Sequence, residues 1–329
     1  MPFVSFPSIV NFHTVRKMIV RNKPIVHDQQ YKAKIKLHGT NGGIVIAPNG
    51  RVAAQSRTQI IGTGNDNVGF AQWVEGNAEH WAQRSRSEQV TVFGEWCGPS
   101  IQKGTAINLI PERIFAVFAI QLGIHEGEDD YTTRLIVDPN EIRSIVGSLP
   151  NMYVLDWYEP ANITVNFFNR DLLSITAKQV NEILQKIEPC DPWVEENFGV
   201  KGISEGLVYY PITTNTTRWH FTTLGFKVKG QQHKVYDAEP MAIDVPIAAG
   251  AKEYVELVVT EARLEQGVTE ATKGKLEAKY IGPFLAWVAK DIKKEAGLEL
   301  VESGLSWKQV SPLINAKARH WFSERTRNK

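Results

Sequence analysis

Through the first two thirds of the chain, apolar positions recur every second residue or in short runs, a period that predicts strands. In residues 31–38, Tyr31, Ala33, Ile35 and Leu37 share one face, and Lys32, Lys34, Lys36 and His38 share the other. Residues 42–47 and 51–54 flank Pro48-Asn49-Gly50 and read as strand, turn, strand. Residues 90–93, 114–120, 135–137, 206–210 and 226–228 are β-branched and aromatic runs bounded by turn residues, and predict further strands. Helical spacing interrupts them twice. Phe70, Trp73, Val74, Ala78 and Trp81 form one set, and Val180, Ile183, Leu184 and Ile187, behind a Thr176 cap, form the other.

Beyond residue 236 the pattern changes to sequence rich in Ala, Glu, Lys and Leu. Helices are expected over 251–263, over 283–296 (proline in the first turn, Gly297 at the end), and from Ser306 or Ser311 to Ser323. Asp237-Ala238-Glu239-Pro240 resembles a linker. The expected architecture is α+β: residues 1–236 build a mixed, mainly antiparallel sheet with packed helices, and residues 237–329 a small all-α C-terminal domain.

Composition narrows the class. With 43% apolar and 22% charged residues in 329, the chain is globular in type. No apolar run approaches the ~20 residues needed to span a bilayer. Residues 1–5 lack the basic start and apolar stretch of a secretory signal. Two cysteines, Cys97 and Cys190, make a disulfide framework or cysteine-rich zinc site an improbable design. A soluble cytoplasmic protein, without membrane partners, is the expectation.

A net charge of +1 argues against a polyanion partner, but its distribution argues for one. Residues 1–36 carry seven Lys and Arg against Asp28 alone, and 201–236 carry five against Glu205 alone. The C-terminal 306–329 carry six against Glu324, whereas 121–200 carry fourteen acids against five bases. A neutral molecule can still present a basic face to phosphates.

Candidate chemistry begins at Lys36-Leu37-His38-Gly39-Thr40-Asn41-Gly42-Gly43. A strand lysine followed at once by a glycine-rich loop suits close approach of a phosphate. Lysine can act as a nucleophile once its pKa, ordinarily about 10.4, is lowered. Further along come Phe93-Gly94-Glu95-Trp96 after a strand, Glu205-Gly206 opening one, and Phe226-Lys227-Val228-Lys229 on another. Lys227 and Lys229 fall on one face, a costly arrangement unless a polyphosphate lies between them. Singly, each fragment is also explained by a hydrated lysine, a turn glutamate or an exposed strand acid. Gly202-Ile203-Ser204-Glu205-Gly206 satisfies G-x-S-x-G, yet a strand follows it where a hydrolase elbow needs a helix. There is no G-x-x-x-x-G-K-[ST] loop, and the histidines show no metal-ligand spacing.

In order and spacing these segments resemble the covalent nucleotidyltransferases, the superfamily of polynucleotide ligases and capping enzymes. Histidine at position 38, and Gly94-Glu95-Trp96-Cys97-Gly98-Pro99-Ser100-Ile101-Gln102-Lys103, are similar to the phage-type RNA ligase 2 family. The likeness covers the signature segments of 31–230 and extends loosely into the C-terminal helices. It implies an ATP-grasp-like ligase adenylation domain for residues 1–236. It also implies an ATP-dependent RNA ligase in which Lys36 takes AMP from ATP, with Mg²⁺ or alternatively Mn²⁺ assisting.

By the same resemblance, Arg57 contacts sugar or phosphate, Glu95 accepts from a ribose hydroxyl, and Phe118 stacks on adenine. Glu205 is tied to the metal, Lys227 and Lys229 to the phosphates, and His38 and Asn41 to later steps on RNA. Arg263 and Asp291 are matched loosely to AMP transfer. Phe118 is followed by Ala119 where the family often has an acid, which puts that acid's role in doubt. The residue-level alternatives are a core position for Phe118 and surface positions for Arg57, Arg263 and Asp291; His38 or Asn41 could instead brace the glycine loop. The implied substrate is RNA with 5′-phosphate and 3′-hydroxyl ends in a nicked duplex, sealed by a monomer. Alternatives are an ATP-dependent DNA ligase, a GTP-using capping guanylyltransferase, or a non-catalytic protein that binds nucleic-acid ends.

Overall fold

A computed structural model describes residues 1–25, 27–125, 130–233, 239, 241–243 and 248–327, apart from the side chain of Leu298. The strands are β1 (Val10–Asn11), β2 (Gln29–Ile35), β3 (Thr40–Ile46), β4 (Val52–Gln55), β5 (Ile60–Ile61) and β6 (Val90–Cys97). They continue with β7 (Ile114–Leu122), β8 (Leu135–Ile136), β9 (Met152–Val154), β10 (Ile163–Val165), β11 (Gly206–Pro211) and β12 (Phe226–Lys229). Helices in the same region are α1 (Phe12–Asn22), α2 (Phe70–Gly76), α3 (Ala78–Ala82), α4 (Pro139–Val146), α5 (Arg170–Ile187), α6 (Pro192–Phe198) and α7 (Arg218–Leu224).

Two sheets result. One runs β1-β12-β11-β2-β10; the other runs β5-β4-β3-β6-β7-β8, with β9 also against β7. Pairing is antiparallel except β1 with β12 and β7 with β9. The mixed, mainly antiparallel α+β core expected from the sequence is therefore present. Phe12, Val15 and Ile19 of α1 and Leu173, Val180 and Leu184 of α5 belong to the core built on the first sheet. Phe70 and Val74 of α2, Trp81 of α3 and Ile142 of α4 belong to the core of the second. With both outer faces covered by helices, chemistry is left to the cleft between the sheets.

The C-terminal residues are helical: α8 (Ala251–Val258), α9 (Glu261–Thr272), α10 (Ile281–Glu302) and α11 (Trp307–Arg327), around a separate core that includes Tyr254, Leu264, Phe284, Val288, Ile314 and Phe322. The boundary expected at residues 236–237 lies outside the described residues, as does most of the linker-like segment. Among the described residues, no helix is long and apolar enough to cross a membrane.

Several expected elements are corrected. Lys34, on the polar side of the β2 alternation, is only 1% exposed, its ammonium group packed over Trp157 and Tyr210. Gly94-Glu95-Trp96 lie within β6 rather than after it. The helix expected over residues 70–81 breaks at Asn77. Thr176 is internal to α5, its hydroxyl bonded to the Leu172 carbonyl, and Asn169 is the cap instead. The 251–263 helix divides at Thr260, which caps α9 through the Arg263 N–H. Helix α10 kinks where the sequence predicts its end: Ala296, beside Gly297, leaves helical geometry (φ −132°, ψ 17°), and a second helical stretch then runs on to Glu302.

Candidate active site

Strand β2 ends at Ile35, and Lys36 follows with its backbone N–H donating to the Gly206 carbonyl at 2.9 Å. This bond ties the lysine to the start of β11, immediately after Glu205. Gly206 has φ +143°, and a Cβ there would strike the Val228 carbonyl of β12. Glycine is required for this approach. Gly39 serves the opposite wall: a Cβ would meet Cys97 Cβ at 2.7 Å, and its N–H donates to Glu95 Oε1 at 3.1 Å.

Glu205 is the hub. Its Oε2 accepts from Lys36 Nζ at 2.6 Å and lies 3.4 Å from His38 Nδ1, while Oε1 lies 3.4 Å from Lys229 Nζ. Burial alone would raise its pKa, but Lys36, Lys229 and His38 override that and hold it well below the usual carboxylate range. His38 also meets Glu270 of α9 through Nε2 at 3.0 Å. Burial opposes the charge on His38, yet the two carboxylates raise its pKa to about 9. Glu95 goes the other way: burial, only partly countered by Lys36 and reinforced by Glu205, raises it to about 7.

Lys227 and Lys229 project from the same face of β12. Lys227 Nζ donates to Glu295 Oε2 of α10 at 2.7 Å. Burial draws Lys227 down to about 8 despite that partner. Burial also opposes the charge on Lys229, but Glu295, Glu205 and Asp291 outweigh it and raise its pKa.

Lys36, His38, Asn41, Arg57, Glu95, Phe118, Glu205, Lys227, Lys229 and Asp291, all singled out in the sequence, line one cleft of about 550 Å³. Asn41 Oδ1 is buried with no hydrogen-bond partner among the described residues. Arg57 stands exposed at the rim, where its Nη2 donates to Ser8 Oγ at 3.2 Å. Phe118 is 9% exposed, with Phe6 packed edge-on at 4.9 Å. Arg263 does not line the cleft. It is buried in the helical unit, where its Nε donates to Asp291 Oδ2 at 2.9 Å and its Nη1 to the Val258 carbonyl.

Of the helical unit's contribution to the cleft, sequence reasoning found only Asp291. Glu270 and Glu295 reach into the cleft, and Gln102, its amide nitrogen turned toward Glu270, donates to Oε1 at 2.9 Å. Further along α10, Glu299 lies 2.6 Å from His13 and Glu302 2.5 Å from Lys17 of α1. No local pattern distinguishes these acids from ordinary exposed helix residues; only the docking of the unit assigns them partners.

Residues 29–229 match the family profile for RNA ligases, and the chain belongs to the RNA ligase family. No curated protein matches the chain. Among solved structures it is similar to a Naegleria gruberi RNA ligase with ATP and Mn, at 17% identity and a TM-score of 0.44, over 70% of this chain and 58% of that one. The same ligase with PPi gives 18% and 0.42, over 70% and 57%. A putative ATP-dependent DNA ligase from Aquifex aeolicus gives 12% and 0.39, over 92% and 64%. The chain thus spans less than two thirds of the length of these structures.

Proposed function

We propose that the protein is an ATP-dependent RNA ligase that joins 5′-phosphate and 3′-hydroxyl RNA ends through a lysyl-AMP intermediate. The observation that carries this reading is the contact of one buried carboxylate, Glu205, with both Lys36 and Lys229. In this reading Lys36 is the nucleophile, and Lys229, with Lys227 on the same strand, receives the phosphates.

In the first step the Lys36 Nζ lone pair attacks the α-phosphorus of ATP. The bond to the β-phosphate breaks, and pyrophosphate leaves with the electron pair. Nζ gives up its protons to solvent. Glu205, hydrogen-bonded to it but held well below the usual carboxylate range, is too weak a base to keep them and serves to orient the amine. Lys227 and Lys229 stabilise the charge that gathers on the departing phosphates. Phe118 stacks on the base, Glu95 faces the ribose and Arg57 closes the rim.

In the second step an oxygen of the RNA 5′-phosphate attacks the AMP phosphorus, and the P–N bond returns its electrons to Lys36. In the third, the 3′-hydroxyl attacks the 5′-phosphate and AMP leaves. In this reading His38 and Asn41 act in these later steps, and Asp291, bonded to Arg263, in AMP transfer. Storing the activation in a P–N bond divides one difficult displacement into easier ones.

Among the described residues there is no cluster of three or more His, Cys, Asp or Glu suited to a metal. The Glu205 carboxylate in the cleft is an oxygen donor of the kind Mg²⁺ takes, typically one or two together with substrate phosphates. Glu205 would hold it, and the ion, Mg²⁺ or Mn²⁺, supplies charge neutralisation at the phosphates. The substrate we favour is a nicked duplex, sealed by a monomer in the cytoplasm.

Incubation with radiolabelled ATP or GTP tests the nucleotide. Label retained from ATP through denaturation supports the reading; label from GTP alone would point to a guanylyltransferase. Sealing of nicked RNA but not nicked DNA separates it from a DNA ligase.

A further inference from the structure

We propose that Lys34 is a positioning residue whose ammonium group holds the irregular turn of β7 that presents Phe118 to the cleft. The inference rests on the reading of that cleft as an ATP site with Phe118 as its base-stacking wall.

The backbone at Phe118 needs a donor. In the pairing of β6 with β7, Gly94 opposes Val117 and Phe93 opposes Ala119, so Phe118 is the extra residue of a bulge. On the other edge of β7, pairing with β9 ends at Val117, whose carbonyl accepts from Leu155 at 2.9 Å. Pairing with β8 begins only at Ile120. The Phe118 carbonyl thus falls in a gap between ladders on both sides. A bulge re-aims the side chain it carries, but it leaves main-chain groups to be satisfied elsewhere.

Lys34 supplies what is missing. It comes from the other sheet, opposite Val208 of β11, and its Nζ donates to the Phe118 carbonyl at 2.9 Å. The ammonium group lies 4.7 Å from the centre of the Trp157 ring and 5.3 Å from that of Tyr210, a cation–π setting that fixes its direction. Burial outweighs the pull of Asp138 and Asp156 and lowers its pKa to about 7. This lysine is embedded, and the two sheets meet through it directly behind the aromatic wall.

Lys36, two residues on, is the proposed nucleophile. One strand therefore carries both the reacting amine and the group that orients the base wall. A shift in β2 would move the two together.

The test is isothermal titration of the full chain with ATP and with inorganic tripolyphosphate. It compares wild type, Lys34→Met, Phe118→Ala and the double variant. Lys34→Met is expected to bind ATP about tenfold more weakly and tripolyphosphate unchanged, because Lys227 and Lys229 are untouched. The double variant should bind ATP within about twofold of Phe118→Ala, since both changes remove one wall. Lys34→Gln keeps an N–H donor and should retain ATP affinity within about threefold of wild type.

Equal ATP affinity in wild type and Lys34→Met, with Phe118→Ala weakened, would overturn the inference and leave the ATP reading standing. So would parallel losses for both ligands, or identical behaviour of the Met and Gln variants. Phe118→Ala binding ATP like wild type, or wild type binding tripolyphosphate but not ATP, would instead remove the reading beneath it.

Discussion

Glu295 of α10 places its carboxylate 2.7 Å from the Lys227 ammonium group of β12, and both side chains are almost wholly buried. The pair joins the helical unit to the sheet unit at the floor of the cleft. A carboxylate and a phosphate offer an ammonium group the same kind of charged acceptor. A phosphate that reaches Lys227 therefore competes with Glu295 for its charge.

Glu295→Gln removes that competitor while preserving shape. We expect affinity for tripolyphosphate and for ATP to rise about three- to tenfold, measured by titration calorimetry. Stability should fall at the same time, because removing one partner of a buried pair costs up to about 3–5 kcal/mol. Glu302→Gln changes the same charge on the same helix, at Lys17, and is expected to leave both affinities unchanged. Unchanged affinity in Glu295→Gln would show that Glu295 does not compete with phosphates.

His38 makes stability depend on pH. Its pKa is about 9 in the folded protein, against 6.5 for the free side chain. A raised value stabilises the fold fully below pH 6.5, and that stabilisation is lost as pH rises toward 9. The loss is on the order of 3 kcal/mol. His38→Gln should flatten the thermal-melting profile between those limits; an unchanged slope would mean that the Glu205–His38–Glu270 chain is not formed in solution.

At Gly206 the backbone leaves no room for a side chain. Gly206→Ala is expected to push β12 away from Glu205, lower the unfolding midpoint in urea, and weaken tripolyphosphate binding more than tenfold through Lys227 and Lys229. Wild-type binding by this variant would contradict the strand geometry described here.

Arg263 faces Asp291 rather than the cleft, so its contribution should be indirect. Arg263→Ala is expected to destabilise the helical unit by about 3 kcal/mol in urea. It should leave adenylation of Lys36 intact while reducing overall RNA sealing more than tenfold. Loss of adenylation would place Arg263 in the first step and contradict this assignment.

Much of the sheet unit was legible because its signals are local. The alternation from Tyr31 to Leu37, the turn at Pro48-Asn49-Gly50 and the apolar run of β7 each follow from a period or a turn residue. Cleft residues came from short motifs whose order, rather than any one fragment, carried the information. What escaped depends on distant partners. Lys34 obeys the alternation, but the polar face of β2 is covered by Trp157 and Tyr210, so polarity did not mean exposure. Helix α1 has apolar residues, Phe12, Val15 and Ile19, that bury against the first sheet and α7. Glu295 and Glu270 acquire their partners across interfaces that no local pattern encodes, and the Phe118 bulge depends on a mismatch between two ladders.

The central claim is that Lys36 is the nucleophile. Intact-protein and peptide mass spectrometry after incubation with ATP and Mg²⁺ tests it most directly. The account predicts one added AMP on the peptide containing Lys36, removed by excess pyrophosphate and absent in Lys36→Ala. An unmodified wild-type protein, or AMP on another residue with Lys36→Ala equally labelled, would contradict it.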